Sequence, residues 1–335
     1  MSPSFSTRIL AAAAVTVTAA AALTGCSASS TPSASGSGAT DIRLAAVLPN
    51  TSDPFFATIS CAAEAQAKTR GVELKTYNTT NTDANALATN FQTATLTQPN
   101  GILVTPFNNN QFLAQYTDLM SKGVPVVTGS PSEPQAEYKS IYSDTDTAPL
   151  AADIADLIPA GGGSMVFLGG APGIPPLEQR TQPFVDAVTK AHPELAALPT
   201  EYSGFDVNKA TTTVSSLILA HPDLKLIIAA DGPDGLGAAA AISQAGKAGQ
   251  IALVAFDAVP GEVDALKAGT ITALIAQNPT DIGAKSIDAL VDYLQAHPDG
   301  GAVSPDGTVA VPNKVLTKDT VGSPENAGFL YKASC

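Results

Sequence analysis

The sequence predicts an α/β fold with two doubly wound parallel-sheet lobes. From residue 41 onward, short apolar runs alternate with amphipathic segments of helical length. The apolar runs show no polar alternation, which is typical of parallel strands that helices cover on both faces. The segment 85–106 orders a helix, Pro-Asn and a strand, and 208–231 repeats that order with Pro-Asp. This repeat favours two similar lobes whose strand ends face a cleft, where open α/β sheets bind ligands.

The individual elements follow in a regular order. The predicted strands are "IRLAAVL" (42–48), "VELKTY" (72–77), "GILVTP" (101–106), "VPVVTG" (124–129), "YKSIYS" (138–143), "SMVFLG" (164–169), "LKLIIAA" (224–230), "IALVAF" (251–256) and "TITALIA" (270–276). The predicted helices lie near 54–70, 83–98, 109–122, 146–158, 177–191, 206–220, 234–248, 260–268 and 280–297. Three of these helices end at a His-Pro pair, because the residue before a proline is pushed out of the α region.

The N-terminal residues show a different pattern. Residues 1–25 place the cation Arg8 before the apolar run 9–23, which is the layout of a secretory signal peptide. The run is about fifteen residues long, too short to span a bilayer. It ends in "LTGC", which resembles a bacterial lipobox and implies lipid attachment at Cys26; the alternative is an ordinary signal peptide and a chance cysteine. Residues 26–40 carry no charge or large side chain, so we expect a flexible tether.

Composition limits the partners that this chain can bind. It has 30 acidic and 17 basic residues and a net charge of −13. Nucleic acid and anionic lipid are not expected as partners, because their phosphates are bound by Lys and Arg. Contact with the membrane is expected only through the lipid anchor.

Cysteine usage points to one bridge. Once Cys26 is acylated, Cys61 and Cys335 remain. Outside the cytoplasm two thiols usually pair, which would join the C-terminus to an early helix. The alternative is two free thiols, one buried and one on a frayed tail.

The sequence lacks the motifs of common enzymes and metal sites. Each of the three histidines precedes a proline and suits the negative end of a helix. The segment "GGGSMVFLGGAPG" has no Lys-Ser or Lys-Thr, so it is not a phosphate-binding loop. Neither G-x-S-x-G nor H-E-x-x-H occurs. We therefore predict a protein that is not an enzyme and that uses no cofactor or metal.

Two adjacent phenylalanines follow the first strand in "SDPFFATIS" (52–60). Asp53 or Ser52 can cap the next helix, and Pro54 suits its first turn. Phe55 and Phe56 at a helix start beside the cleft indicate an aromatic platform for the apolar face of a ring. The alternative is that both pack in the core.

Polar side chains occur where later strands end and helices begin. Asp231 lies in "AADGPDG", Asp257 in "VAFDAVPG", Gln277 in "LIAQNPTDIG" and Arg180 in "LEQRTQPF". A carboxylate accepts from two vicinal hydroxyls, and a guanidinium donates to several oxygens in one plane. The set is suited to a polyhydroxylated ligand, although each residue alone is more often a helix cap or a surface ion pair.

From Ile42 to about Lys314 the chain resembles the ribose- and galactose-type solute-binding proteins of bacterial ABC importers. The matching stretches are "DPFF", "SD" at 143–144, "EQRTQPF", "FD" at 205–206, the strand–Asp–helix at 227–237, "VAFDAVPG" and "IAQNPTDIGAKS". The resemblance implies the type I periplasmic-binding-protein fold. It implies lobe 1 from 41–144 and 278–312, and lobe 2 from 145–277 and 313–335, with a C-terminal tail that returns to lobe 1. The three crossings would lie near 143–145, 277–278 and 311–313.

The resemblance also implies roles for single residues. Phe55 and Phe56 would sandwich a sugar beside Asp53, and Phe205 would form part of the wall. The sugar hydroxyls would be bound by Arg180, Asp231, Asp257 and Gln277. The ending "FLYKASC" resembles actinobacterial relatives whose terminal cysteine faces a cysteine on the first helix, which favours a Cys61–Cys335 bridge.

Lobe 1 departs from the ribose-binding pattern. Ser130 and Pro131 stand where ribose binders carry Asp-Arg, Thr105 replaces an asparagine, and Thr145 follows Ser-Asp in place of asparagine. We therefore expect a sugar, polyol or cyclitol other than ribose. The amides of "FNNNQ" (107–111) are either substitute ligands or a polar helix cap.

The sequence therefore predicts a monomeric, lipid-anchored substrate-binding protein on the outer face of the cell membrane. It would capture its solute in the cleft between the lobes and deliver it to the permease of an ABC transporter. The alternatives are a sensory receptor that feeds a chemoreceptor or kinase, and a binder of a non-sugar solute.

Overall fold

The computed structural model describes residues 42–335, so the predicted signal peptide 1–25, Cys26 and the tether 26–40 lie outside the described residues. The elements in chain order are β1 (Arg43–Val47), α1 (Pro54–Arg70), β2 (Glu73–Thr76), α2 (Ala84–Leu96), β3 (Gly101–Val104), α3 (Leu113–Ser121), β4 (Val126–Thr128), β5 (Lys139–Ser143), α4 (Ala151–Ile154), β6 (Gly163–Gly169), α5 (Pro175–Ala191), β7 (Leu195–Ala197), β8 (Glu201–Tyr202), α6 (Val207–Ala220), β9 (Leu224–Ala229), α7 (Gly232–Gln244), β10 (Ala252–Phe256), α8 (Pro260–Ala268), β11 (Ala273–Ala276), α9 (Pro279–Ala296), β12 (Thr308–Val311) and β13 (Lys314–Leu316). Short 3-10 helices at Ala148–Leu150 and Ala155–Leu157 flank α4, and another lies at Pro324–Phe329.

Lobe 1 is built on a parallel six-stranded sheet in the order β12-β5-β4-β3-β1-β2. Successive residues of its strands point to opposite faces. On β1, Leu44 packs in a core with Ile59 of α1 and Leu290 of α9. The next residue, Ala45, packs in a second core with Phe91 of α2. Helices therefore cover both faces, which explains why the strands lack polar alternation.

Lobe 2 is built on a sheet in the order β13-β11-β10-β9-β6-β7, with β8 paired to the end of β6. All pairs are parallel except β13, which runs antiparallel to β11. On β9, Ile227 packs in a core with Val214 of α6, whereas Ile228 packs in another with Phe184 of α5. The prediction of two doubly wound α/β lobes is confirmed.

The chain changes sheets at three points. β5 belongs to the first sheet and β6 to the second, and α9 after β11 packs on strands of the first sheet. The last change falls between the neighbouring strands β12 and β13. Asn313, between these strands, accepts a hydrogen bond from Ser143 Oγ at 2.6 Å and donates to Asp144 O at 2.7 Å. One amide therefore links two of the connecting segments.

Helices α1 and α9 pack closely. Asp53 caps α1 by accepting from Phe55 N at 2.9 Å, and Gly71 ends it with φ of 68°. A side chain at Gly283 of α9 would place its Cβ 2.4 Å from Ile59 O. The absence of a side chain at this position is what allows α9, which follows lobe 2 in the chain, to pack against α1.

The local predictions fail at a few segments. The helix predicted over 146–158 is a four-residue helix between two 3-10 turns, because Pro149 and Pro159 confine it to a short span. The helix predicted from 109 begins at Leu113, since the preceding residues form a turn in which Gln111 N donates to Asn108 O. The short strands β7, β8, β12 and β13 had no predicted counterpart.

A disulfide joins Cys61 of α1 to Cys335, with Cα atoms 5.3 Å apart and 274 residues between them in sequence. The pairing favoured from the sequence is therefore the one in the structure. No helix within residues 42–335 is long and apolar enough to cross a membrane.

We predict that Cys335→Ser lowers the free energy of unfolding by about 2–4 kcal/mol, because the bridge restricts a long loop in the unfolded chain. Urea unfolding of the oxidised protein measures the difference. Dithiothreitol is the matched control: it should lower wild type to the level of the variant and leave the variant unchanged. Equal stability of the oxidised wild type and the variant would contradict the prediction.

Candidate functional site

Three of the predicted site residues meet at one edge of the second sheet. Asp231, Asp257 and Gln277 follow β9, β10 and β11, which are neighbours in that sheet. Because neighbouring parallel strands end at the same edge, their following loops lie side by side. Arg180, on the second turn of α5, reaches the same place.

The Arg180 guanidinium joins these loops. Its Nη1 donates to Asp257 Oδ1 at 2.7 Å and to Gln277 Oε1 at 2.6 Å, and its Nη2 donates to Ala230 O at 2.9 Å. The guanidinium carbon lies 5.6 Å from the centre of the Phe256 ring. Burial alone would lower the pKa of Arg180, but the charge and hydrogen bond of Asp257 raise it above its ordinary value, so the group stays a cation.

Asp257 is held in a special backbone conformation. Its φ is 81°, in the left-handed region that residues with a side chain seldom adopt. Besides the bond from Arg180, its Oδ2 accepts from Gly232 N at 3.2 Å. The carboxylate is thus oriented from two elements, α5 and the start of α7, and such over-determined positions are where backbone strain persists.

Asp231 is buried at the start of α7. Its Oδ1 accepts from Asp234 N at 3.0 Å, and its Oδ2 has no hydrogen-bond partner among the described residues. Burial, together with the charge of Asp257, raises the pKa of Asp231 to about 6 despite the bond from Asp234 N. Asp231 is therefore both a helix cap and a buried carboxyl group with one oxygen unpaired among the described residues.

Two further buried acids, Asp234 and Glu262, were missed by the sequence analysis. Asp234 is fully buried, and burial together with the Asp231 charge raises its pKa to about 8. Glu262 Oε2 accepts from Val259 N at 3.1 Å, and burial followed by the charge of Asp257 raises its pKa well above the usual range. Both lie in the first turn of a helix, where an acid is ordinary, so their positions in the sequence carried no signal.

The aromatic pair lies where the two lobes meet. Phe55 packs against the apolar cores of both lobes, whereas Phe56 packs against the core of lobe 1. The two rings are 5.2 Å apart and nearly perpendicular, at 78°. Both remain only partly buried. The pair therefore combines core packing with exposed ring surface. Packing in the core and an aromatic platform for a ligand ring are both compatible with this arrangement.

Asp53 of lobe 1 lies near the charged group of lobe 2 without bonding it. Burial raises the pKa of its carboxyl, the hydrogen bond from Phe55 N lowers it, and the charge of Asp257 raises it further. The nearby Arg180 acts in the opposite direction. These mutual effects place Asp53 of lobe 1 within electrostatic range of the Arg180 and Asp257 pair of lobe 2.

Phe205 presents an exposed ring from lobe 2. It is 45% exposed, and its backbone φ of 61° lies in the left-handed region. Its N–H donates to Ser203 Oγ at 3.0 Å. A Cβ at Gly170 would lie 2.2 Å from the ring, so the glycine makes room for it. An exposed aromatic held in this way is suited to contact with a ligand.

Several polar side chains of lobe 1 are hydrogen-bonded within its loops. Gln111 Oε1 accepts from Phe107 N, and Asn110 Oδ1 accepts from Glu133 N. The fully buried Glu137 accepts from Ser132 and Ser140 and so organises the loop that includes Ser130 and Pro131. The helix-cap interpretation of the "FNNNQ" amides is therefore wrong, because the N-cap of α3 is Phe112 without a side-chain hydrogen bond and the amides bond loop backbone instead. Within residues 42–335 no group of three or more His, Cys, Asp or Glu is arranged to hold a metal ion.

Tyr331 also reaches the site and was missed. Its hydroxyl donates to Gln277 Oε1 at 3.1 Å and lies 3.3 Å from Asp257 Oδ1. Nothing in the pattern of "FLYKASC" indicates where this side chain would point, because the tail has no regular secondary structure at this position.

Comparisons with known proteins place the chain among solute-binding proteins. A family model described as "Periplasmic binding protein domain" matches residues 44–298. The chain is 28% identical to a ribose import binding protein of Salmonella typhimurium, over 75% of this chain and 84% of that protein. It is 26% identical to a D-allose-binding periplasmic protein of Escherichia coli, over 74% and 83%. A xylitol-binding protein of Mycolicibacterium smegmatis is 25% identical, over 76% and 71%.

Solved structures show the same fold. An ABC transporter solute-binding protein from Agrobacterium vitis, bound with alpha-D-tagatopyranose, superposes with a TM-score of 0.71 at 27% identity, covering 87% of this chain and 99% of that one. A periplasmic ribose ABC transporter protein from Conexibacter woesei superposes with a TM-score of 0.74 at 21% identity, with coverage of 87% and 99%. At 21% identity, the similarity to the Conexibacter woesei protein shows a shared fold and nothing more.

We predict that stability falls as pH rises from 5 to 8.5. The pKa of Asp234 is raised in the folded state, so between about pH 4 and pH 8 the folded protein binds more protons than the unfolded chain. Its contribution is complete below the unfolded pKa and is lost as pH rises through about 8. Asp231 and Glu262 act in the same direction.

Asp234→Asn should therefore flatten the pH profile, with a loss between pH 5 and 8.5 that is smaller than that of wild type by at least about 1 kcal/mol. Urea unfolding at both pH values measures this. Asp118→Asn, which removes an exposed carboxylate paired with Lys122, is the control for loss of one surface charge. If Asp234→Asn and wild type show the same slope, Asp234 is not the titrating group.

Proposed function

The chain belongs to the periplasmic binding protein domain family, and from this premise we propose that it captures a sugar or sugar-like polyhydroxylated solute for an ABC importer. It is a solute-binding protein and not an enzyme. The ligand occupies the space between the lobes, where Asp53, Phe55 and Phe56 face the charged group of lobe 2. The permease of the importer receives the solute.

The observation that carries the proposal is the Arg180 cluster. Arg180 of α5 donates to both Asp257 and Gln277, which lie at the carboxyl ends of adjacent strands. Such a group offers acceptors and donors in fixed directions, and it suits vicinal hydroxyls, each of which both donates and accepts. Phe55, Phe56 and Phe205 supply aromatic surface for the apolar face of a ring.

Relatives support the ligand class. Their names record ribose import, D-allose binding and xylitol binding, and the Agrobacterium vitis structure holds a tagatose. In lobe 1, Thr105, Ser130 and Pro131 carry no charge. Ligand hydroxyls on that side would therefore contact fewer charged side chains than they would in the ribose-binding pattern, which has Asp-Arg in place of Ser130-Pro131. We therefore assign the ligand to sugars, polyols or cyclitols without singling out ribose.

The lobes close around the ligand. We propose the division 41–144 with 278–312 for lobe 1 and 145–277 with 313–335 for lobe 2, which the sheet membership of the strands supports. Three connections permit a hinge motion, and a ligand that contacts both lobes stabilises the closed form. Lipid at Cys26 and the tether 26–40 would hold the monomeric receptor at the outer face of the membrane.

A thermal-shift screen tests the proposal. The protein is heated with D-ribose, D-allose, D-arabinose, D-tagatose, xylitol and myo-inositol, and with amino acids as non-sugar solutes. A ligand at 100 times its Kd stabilises the fold by about 2.7 kcal/mol, a clear rise in Tm. A rise with any sugar, polyol or cyclitol supports the proposal, whereas a rise confined to amino acids would refute the ligand class.

Asp257→Asn should weaken binding of the solute found in the screen by about 10–100-fold, because an amide replaces the charged acceptor with little change of shape. Titration calorimetry measures the Kd. Asp118→Asn removes one charge from the surface of lobe 1 and should bind as wild type does. Unchanged affinity of the Asp257 variant would place the ligand elsewhere.

A further inference from the structure

The C-terminal tail runs from lobe 2 to lobe 1. After β13, the 3-10 helix Pro324–Phe329 packs against α9, and Asn326 accepts from Lys314 Nζ at 2.6 Å. Lys332 N then donates to Thr58 Oγ1 of α1 at 2.7 Å, and Cys335 is bonded to α1. The tail therefore contacts lobe 2 through Lys314, and lobe 1 through α9 and α1.

One of the buried side chains of this tail, Tyr331, reaches the charged group of lobe 2. Tyr331 is only 4% exposed. Its N–H donates to Ala258 O at 3.1 Å, on the loop that carries Asp257, and its ring lies 5.6 Å from that of Phe55. Burial and the charge of Asp257 raise the pKa of the Tyr331 hydroxyl well above its ordinary value, so it remains a donor.

We propose that Tyr331 is a positioning residue that fixes the orientation of the Gln277 side-chain amide and thereby the polarity of the ligand site. The inference rests on the proposed function, whose binding residues it concerns. An amide can turn its oxygen or its nitrogen towards a neighbour, and the neighbours decide which. Tyr331 and Arg180 both donate, at 3.1 Å and 2.6 Å, so Gln277 presents Oε1 to them.

This orientation has a consequence for recognition. With Oε1 occupied by two donors, the Nε2 group of Gln277 points away from them and has two N–H donors to offer. Asp257, in contrast, is an acceptor held by Arg180 and Gly232. The pair therefore presents a donor group, the Gln277 Nε2 amide, and an acceptor group, the Asp257 carboxylate, to a ligand. Without the Tyr331 hydroxyl, Arg180 is the one remaining donor to Gln277 Oε1, and the Gln277 amide rotates more freely.

Tyr331→Phe is the direct test, because it removes the hydroxyl and keeps the ring that packs on Phe55. Tyr202→Phe is the matched control, since this partly exposed tyrosine lies on β8 and makes no hydrogen bond to Asp257 or Gln277. Binding of D-ribose, D-allose and xylitol to wild type and both variants is measured by titration calorimetry. We expect Tyr331→Phe to weaken binding about ten-fold, with Tyr202→Phe equal to wild type.

A ligand-free measurement separates positioning from packing. The side-chain amide resonances of Gln277 are compared by 15N NMR in the unliganded proteins. Tyr331→Phe should shift them and Tyr202→Phe should not. An unshifted Gln277 amide would overturn the proposal even if affinity fell, since the loss would then come from packing, and unchanged affinity would overturn it as well.

The two proposals fail in different ways. If wild type binds none of the three solutes, the proposed function fails for them, and the Gln277 resonances still decide whether Tyr331 orients the amide. If wild type binds and Tyr331→Phe matches it in both measurements, the proposed function stands and the positioning role is wrong.

Discussion

The arrangement of lobe 2 depends on one buried guanidinium surrounded by carboxyl groups. Arg180 bonds Asp257, Gln277 and the carbonyl of Ala230, which lie on the loops after three adjacent strands. Moving a charge out of water is costly, and only well-placed partners offset that cost. The guanidinium therefore stabilises the loops in one relative position, and the loops in turn hold it charged. The same contacts that hold the loops together create the directional donors and acceptors of the site.

The surplus of acids around this cation has an energetic consequence. Asp231, Asp234 and Glu262 are buried near Asp257, and each has at least one oxygen without a hydrogen-bond partner among the described residues. Burial raises the pKa of each of these carboxyl groups, so each holds its proton more tightly in the folded protein than in the unfolded chain. The raised pKa of Asp234 keeps its carboxyl protonated at neutral pH, so it can donate to the neighbouring Asp231. The buried carboxyl groups beside Arg180 therefore make this edge of lobe 2 sensitive to pH.

The sequence predicted most of the fold because its signals are local. Apolar strands such as 251–256 and caps such as Asp53 need no distant contact to be recognised, and the observed elements lie within a few residues of those predicted. Predictions failed where local preference was weak: the segment 146–158 is confined by two prolines, and the edge strands β12 and β13 are short and partly exposed. Their pairing is decided by neighbouring strands, which no local pattern records.

The sequence by itself determined the α/β class, the alternation of strands and helices, and which residue types stand at the ends of strands. Only the tertiary structure decided which of those residues touch. Asp231, Asp257 and Gln277 come together because β9, β10 and β11 are adjacent, and Tyr331 joins them because the tail is held between lobe 2 and α1. Strand order and the path of a tail depend on contacts between residues far apart in the chain, and such contacts leave no periodic trace in the sequence.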